Sequence, residues 1–238
     1  DWLGSHATGR HYWNFLRAAG VEVRLFGPPR WNLLRLFVRD HRKLVSVDGR
    51  DAVAGGLCIG DEWAGRPERG ILPWRDTAVR ISGPAVPALE GAFRRTWAAA
   101  GGNVTAEDMV GDAPERGPAA VRVIAGEPGQ ARSYRVIQLL AAGAADQMWI
   151  TDAYLVLPSA LLQGLLDASH DRADVRLLVP GASDLPVVRD LTRSGDRELG
   201  SGGVRIFEWD GPMLHAKSMV VDGRFGRVGS SNLNASSL

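Results

Sequence analysis

The sequence contains two copies of one unusual pattern, HRKLVSVDGRDAVAGGLC at residues 41–58 and HAKSMVVDGRFGRVGSSN at residues 215–232. Each copy has a histidine, a lysine two residues on, an aspartate seven residues on and then a pair of small residues. The matched positions are His41, Lys43, Asp48, Gly55 and Gly56 in the first copy and His215, Lys217, Asp222, Gly229 and Ser230 in the second. A repeat of such specific spacing predicts two similar halves, each containing one hairpin with an Asp-Gly turn.

Lysine usage supports this interpretation. The chain has 28 lysine and arginine residues, and only Lys43 and Lys217 are lysines. A lysine ammonium is a compact charge on a flexible stem, whereas a guanidinium is a planar fork. The two repeated positions are therefore predicted to need an ammonium group.

Overall composition narrows the function classes. The formal net charge is +1, which argues against nucleic acid as the main partner, because binding to a phosphate backbone normally needs a basic surface. A single cysteine, Cys58, cannot form an internal disulfide and favours a reducing compartment. No apolar run approaches the roughly 20 residues of a membrane-spanning helix.

The second half of the chain alternates strand and helix patterns, with strands predicted at 121–126, 148–156, 174–181 and 203–207 and a helix at 185–199. This alternation predicts an α/β fold of two similar lobes, each a mainly parallel mixed sheet flanked by helices and related by a pseudo-twofold axis. The predicted boundaries are residues 1–102 for the first half, 103–119 for a linker and 120–238 for the second half. The segment 20–26 is predicted to be a strand matching 203–207. Because the first half has no counterpart of the elements at 122–179, we expect it to be truncated at its N-terminus and the second half at its C-terminus.

The paired motifs suit the chemistry of a phosphodiester. On a strand, residues two apart face the same side, so two imidazoles and two ammonium groups would converge if the halves pack face to face. One imidazole could attack phosphorus while the other serves as acid and base, and the lysines would stabilise the charge on the phosphoryl oxygens. This arrangement requires no metal and no cofactor.

The remaining motif residues have two possible roles. Gly55, Gly56, Ser230 and Asn232 are predicted to bind the substrate phosphate, although tight strand packing would equally explain the glycines. Asp48 and Asp222 are candidates for an orienting role in catalysis. Their odd offset and following glycines also fit a purely structural role in the hairpin turns.

The paired HxK(x)4D(x)6G[GS] motifs resemble those of the phospholipase D superfamily. Flanking segments such as GGLCIGDEWAG, WRDTAVRISGPAV, ITDAYLVLP and GSSNLNASSL are similar to its bacterial cardiolipin synthase branch. The resemblance implies a phosphatidyltransferase that acts on glycerophospholipids such as phosphatidylglycerol through a covalent phosphohistidine. It further implies that His41 is the nucleophile and His215 the acid–base partner. The expected location is the bacterial cytoplasmic membrane surface, with the catalytic part facing the cytoplasm.

Two departures from the family pattern keep alternatives open. Cys58 stands where the family usually has asparagine, and Asp40 precedes the first histidine in place of another asparagine. A degenerate, non-catalytic lipid-binding relative is therefore one alternative. A phospholipase D-type hydrolase is the other main one, and a nuclease fits the near-neutral charge less well.

Overall fold

A computed structural model describes residues 5, 8–27, 40–105, 113–126 and 130–234. The helices are α1 (Arg10–Ala18), α2 (Asp61–Ala64), α3 (Val86–Ala99), α4 (Arg132–Ala142), α5 (Ser159–His170), α6 (Pro186–Ser194) and α7 (Asp196–Ser201), with a 3-10 turn at Pro67–Arg69. The strands are β1 (Leu44–Val47), β2 (Asp51–Gly55), β3 (Ala78–Ser82), β4 (Gln147–Thr151), β5 (Asp174–Pro180), β6 (Arg205–Trp209), β7 (Ser218–Val221) and β8 (Phe225–Val228). The chain forms two compact units, one of Asp1–Ala52 with Ile81–Val123 and one of Val53–Arg80 with Ile124–Leu238.

The first unit contains α1, β1, α3 and parts of β2 and β3. Strands β1, β2 and β3 form a three-stranded sheet in that order, and the division between the units falls within β2 and β3. Helix α3 has a proline in its first turn, where no backbone N–H is needed. It buries Val86, Leu89 and Ala92 at helical spacing, and Glu90 Oε1 accepts a 2.7 Å hydrogen bond from Ser46 Oγ of β1.

The second unit is built on a five-stranded sheet in the order β6-β5-β4-β7-β8. Strands β4, β5 and β6 pair in parallel, whereas β7 pairs antiparallel with both β4 and β8. In β5 the burial alternates, so that Val175, Leu177 and Val179 enter the core. Helices α4, α5 and α7 supply the opposing apolar residues, including Ile137, Leu161, Leu165 and Leu199.

The predicted α/β class, with mixed sheets flanked by helices, is confirmed by this architecture. Four local predictions differ from the structure. The strand predicted at 148–156 is β4, which ends at Thr151. Residues 20–26 and 121–126 form no strand. A strand needs a neighbouring strand to accept and donate its backbone hydrogen bonds, and among the described residues neither segment has such a strand beside it. The helix predicted at 185–199 divides into α6 and α7 at Gly195, a residue with low helix propensity.

Two predictions about organisation stay predictions. They are the pseudo-twofold relation between the lobes and the boundaries at 102 and 120. Residues 106–112 of the predicted linker lie outside the described residues.

Candidate active site

His215 lies beside a short parallel bridge that joins two distant parts of the second unit. Arg75 N donates to Met213 O at 2.9 Å, and His215 N donates to Arg75 O at 2.7 Å. Because Asp76 follows Arg75 directly, this bridge brings a carboxylate next to the imidazole from 139 residues away. The histidine of the second motif therefore has an acidic partner that comes from the segment after the first motif.

The imidazole and the carboxylate form a buried pair. His215 Nδ1 lies 2.7 Å from Asp76 Oδ2, and both side chains are buried. Burial raises the pKa of Asp76, but hydrogen bonds from His215, Trp63 Nε1 and Thr77 N outweigh burial and leave the pKa below its ordinary value. An ionised carboxylate only accepts hydrogen bonds, so Nδ1 carries a proton and Nε2 remains for reaction.

Three aromatic rings enclose the His215 imidazole. Their centroids lie 5.0 Å away for Trp63, 5.7 Å for Trp74 and 5.9 Å for Tyr154. Trp63 also donates a 2.8 Å hydrogen bond from Nε1 to Asp76 Oδ2, so it holds both members of the pair. This enclosure restricts the imidazole plane and keeps water away from the His215–Asp76 hydrogen bond, which is stronger in a water-poor environment.

Lys217 lies within the same enclosure. Its side chain is fully buried, Nζ donates to His215 O, and Nζ lies 5.7 Å from the Tyr154 ring centroid. Lys217 also interacts electrostatically with Asp152. A buried ammonium held next to the catalytic candidate is well placed to stabilise an anionic oxygen.

The small-residue segment of the second motif follows directly on β8. Gly229 N donates to Lys217 O at 3.1 Å, which holds this segment against the lysine. Asn232 is 6% exposed and Ser230 is half-buried. The small-residue segment is thus linked to Lys217 within the second unit, and the contact of Ser230 and Asn232 with a phosphate stays a prediction.

Gly55 and Gly56 also belong to the second unit, and each has a close neighbour. A Cβ added at Gly56 would lie 2.1 Å from Asp76 Oδ1, and one added at Gly55 would lie 2.4 Å from Thr77 O. Both glycines therefore permit the close approach of Asp76 and of the chain leading into β3. Their predicted contact with a phosphate stays a prediction.

Asp222 and Asp48 occupy equivalent turns. Asp222 and Gly223 have φ values of 53° and 63°, and Asp48 and Gly49 have values of 54° and 63°, as hairpin turns with two left-handed residues require. The Asp222 carboxylate accepts hydrogen bonds from the backbone N–H groups of residues 145, 146 and 147 at 2.9–3.1 Å. These bonds lower its pKa and hold the turn to the start of β4, which favours the structural role. The catalytic role of Asp222 stays a prediction.

The first part of the first motif, from His41 to Asp48, lies in the first unit and repeats part of this local geometry. Lys43 Nζ donates to His41 O at 2.8 Å, as Lys217 does to the carbonyl of its own motif histidine. His41 is exposed and Lys43 half-buried. Asp40 Oδ1 accepts 3.0 Å hydrogen bonds from Arg42 N and Nε, so its charge is paired with a cation. The convergence of His41 and Lys43 with the second motif stays a prediction.

Several residues of the site lie outside both repeated motifs. Asp76, Trp63, Trp74, Asp152 and Tyr154 have no counterpart in the repeated spacing, because they reach His215 and Lys217 only through the fold. Their segments were nevertheless among those quoted for the family resemblance. Among the described residues, no group of three or more His, Cys, Asp or Glu side chains could hold a metal ion.

The described part of the chain contains no helix long and apolar enough to span a bilayer.

Comparison with known proteins identifies relatives of this chain. Residues 136–238 match the family described as "Cardiolipin synthase, PLD-like domain". The chain is 35% identical over 98% of its length to the cardiolipin synthase of Geobacillus thermodenitrificans, and 33% identical over 98% to cardiolipin synthase A of Pseudomonas fluorescens. It covers 48% and 49% of those proteins, so it spans about half the length of the relatives it matches.

A solved structure, phosphatidylserine synthase of Haemophilus influenzae, shares the fold. Its TM-score is 0.55 at 14% identity, and the match covers 80% of this chain and 54% of that one. The buried His215, Lys217 and Asn232 thus lie in a fold and a sequence context shared with these enzymes. On these findings, the chain is a cardiolipin synthase-like protein of the phospholipase D superfamily.

Proposed function

We propose that this protein is a cardiolipin synthase-type phosphatidyltransferase acting on glycerophospholipids such as phosphatidylglycerol. The observation that carries the proposal is the buried His215–Asp76 pair with Lys217 beside it, in a chain similar to cardiolipin synthases over 98% of its length. The substrate surface would be the cytoplasmic face of the bacterial membrane.

In the first step, an imidazole Nε2 attacks phosphorus of the donor lipid and forms a phosphohistidine. The bond between phosphorus and the leaving headgroup oxygen breaks, and the second imidazolium gives its proton to that oxygen. In the second step, the second imidazole, which has just lost its proton, takes a proton from the acceptor hydroxyl. The acceptor oxygen attacks phosphorus of the phosphohistidine and releases the first histidine. Atoms and charge balance without a further reactant.

His215 suits the acid–base role in this scheme. Asp76 would stabilise the imidazolium each time Nε2 accepts a proton, as the carboxylate of a catalytic triad does. Lys217 and Asn232 would interact with the phosphoryl oxygens as charge develops on them. By analogy, His41 would then be the nucleophile, with Lys43 in the equivalent position.

Lipid analysis of cells lacking cardiolipin tests the proposal. Expression of the protein should restore cardiolipin, and His41→Ala and His215→Ala variants expressed at equal levels should not. Robust expression without new cardiolipin would refute the transferase function.

Two further measurements distinguish the alternatives. With labelled phospholipid, release of phosphatidic acid regardless of added glycerol-type acceptors would identify a hydrolase. Failure to trap any labelled phosphohistidine would support a non-catalytic lipid-binding relative, for which Cys58 is the motivating substitution.

A further inference from the structure

Asp152 is a buried carboxylate that neither repeated motif contains. It is 1% exposed. Its Oδ1 accepts a 3.0 Å hydrogen bond from Tyr154 N, and its Oδ2 accepts a 2.9 Å bond from Leu233 N. One side chain therefore joins the segment after β4 to the residue that directly follows Asn232.

Arg227 holds the other side of Asn232. This residue lies on β8 opposite Met219, and its guanidinium donates a 2.9 Å hydrogen bond to Ser231 O. It also interacts electrostatically with Asp152, and this interaction opposes the lowering of the pKa of Arg227 by burial. Asp152, which is buried, and Arg227, which is half-buried, are opposite charges that thus hold the peptide groups on both sides of Asn232.

The Asn232 side chain itself is less firmly held. Its Oδ1 is buried and, among the described residues, has no hydrogen-bond partner. The direction of the amide therefore depends on the backbone at Ser231 and Leu233, which Arg227 and Asp152 hold. A shift of either peptide group would rotate the amide away from its position in the site.

Asp152 also acts on Tyr154, one of the three aromatic residues around His215. By fixing Tyr154 N it sets the position of the Tyr154 ring, which lies 5.9 Å from the His215 ring and 5.7 Å from Lys217 Nζ. The phenol end of this residue is tied separately, through a 2.7 Å hydrogen bond from Tyr154 Oη to Asp184 Oδ1. Asp152 further supplies negative charge near the buried ammonium of Lys217.

We propose that Asp152 and Arg227 are positioning residues, which orient Asn232 and Lys217 toward the transferring phosphoryl group. The proposal rests on the function proposed above, since it assigns the pair to that site. Neither residue contacts the phosphate. Their effect comes through the peptide groups flanking Asn232, through the ring of Tyr154 and through the charge balance of Lys217.

Single substitutions test the positional effect. An asparagine at position 152 can accept only one of the two backbone hydrogen bonds and directs an NH₂ group at the other donor. Asp152→Asn should lower the rate of phosphohistidine formation about 100-fold, the scale expected for an ångström-sized misplacement. The loss should appear in kcat rather than KM, because Asn232 and Lys217 act on charge that develops in the transition state.

Two controls accompany that variant. Asp174→Asn makes the same chemical change in an exposed ion cluster with Arg176 and Arg205 on the same sheet, and it should leave the rate unchanged. Arg227→Lys keeps a cation and one donor for Ser231 O, so it should retain much more activity than Arg227→Met.

The double variant Asp152→Asn/Arg227→Met separates positioning from stability. Either single change alters the net charge of Asp152, Arg227 and Lys217 taken together, and the double change restores the net charge of the wild type. The double variant should recover the thermal midpoint but not kcat. Recovery of both the thermal midpoint and kcat would show a purely structural pair and overturn the proposal. Unchanged rates in Asp152→Asn, Arg227→Met and the double variant, beside an active wild type, would also overturn it. A wild type that forms no phosphohistidine would instead refute the proposed function, and the positioning role with it.

Discussion

Asp76 and His215 are 139 residues apart in the chain and 2.7 Å apart in the structure. Asp76 comes from the segment that follows the first motif, and His215 begins the second. The candidate acid–base group is therefore completed by a residue outside both copies of the repeat. The second motif therefore depends on the segment around Asp76, which lies in the same unit but far away in the sequence.

Asp76→Asn should reduce phosphatidyl transfer by about 10²–10⁴-fold while the protein remains folded. An amide cannot hold the Nδ1–H tautomer or stabilise the imidazolium as a carboxylate does, and the equivalent change in a catalytic triad has a cost at the upper end of this range. Turnover of labelled phosphatidylglycerol measures the effect. Asp61→Asn, in an exposed pair with Arg66, is the matched control and should behave as wild type. A fully active Asp76→Asn enzyme would remove His215 from the acid–base role.

Gly56→Ala should lower both stability and activity. The added Cβ would lie 2.1 Å from Asp76 Oδ1, so Asp76 must move, at a cost of about 1–3 kcal/mol in unfolding free energy for overpacking a tight site. Denaturant unfolding and turnover measure the two effects. Gly200→Ala, in α7 with no atom within 4 Å of the new Cβ, should keep or slightly raise stability. Equal behaviour of the two variants would contradict the close Asp76 contact.

Asp222→Asn should lower the thermal midpoint at pH 7 with little effect on kcat. Asparagine tolerates the left-handed turn, but it cannot accept all three backbone hydrogen bonds. Because folding lowers the pKa of Asp222, its stabilisation is present above the ordinary carboxyl pKa of 3.8 and is lost as the pH falls through the lowered value. The difference in midpoint between variant and wild type should therefore shrink below about pH 4. A large loss of kcat at unchanged midpoint would instead support the catalytic role of Asp222.

Lysine-to-arginine changes at the two motif positions should have different structural effects. Lys217 is fully buried, so Lys217→Arg must fit a larger planar group into a filled space and should lower the thermal midpoint. Lys43 is half-buried, so Lys43→Arg should fold normally. Both should lose activity, by about 10²–10³-fold, if each ammonium stabilises transition-state charge. Retained activity in Lys43→Arg would show that the first position needs only a cation.

Cys58→Asn should raise the transfer rate by about tenfold or more, because it supplies an amide donor to the first half of the site. Cys58 is half-buried, and its Sγ donates a 3.7 Å hydrogen bond to Gly56 O. Cys58→Ser, which lacks the amide, should not reproduce the gain. An unchanged rate in Cys58→Asn would indicate that the site does not use an amide at this position.

Much of the second unit could be predicted from local pattern. Period-two burial in β5 and helical spacing in α5 appear directly in the apolar residues, because each element must bury one face. The Asp-Gly turns were equally predictable, since few residues accept positive φ. Segments 21–25 and 121–126 have strand-like patterns but no strand, because pairing depends on neighbours that no local pattern specifies.

The repeated spacing by itself indicated the family. It also identified the two histidines, the two lysines and the two turn aspartates as matched positions. Those features depend on residues close in sequence, where spacing translates directly into geometry. Only the tertiary structure decided that Asp76 pairs with His215, that Trp63, Trp74 and Tyr154 enclose it, and that Asp152 and Arg227 hold the peptide groups around Asn232. These contacts join residues up to 139 positions apart, and the burial that makes them strong arises only when the sheet and its helices pack together.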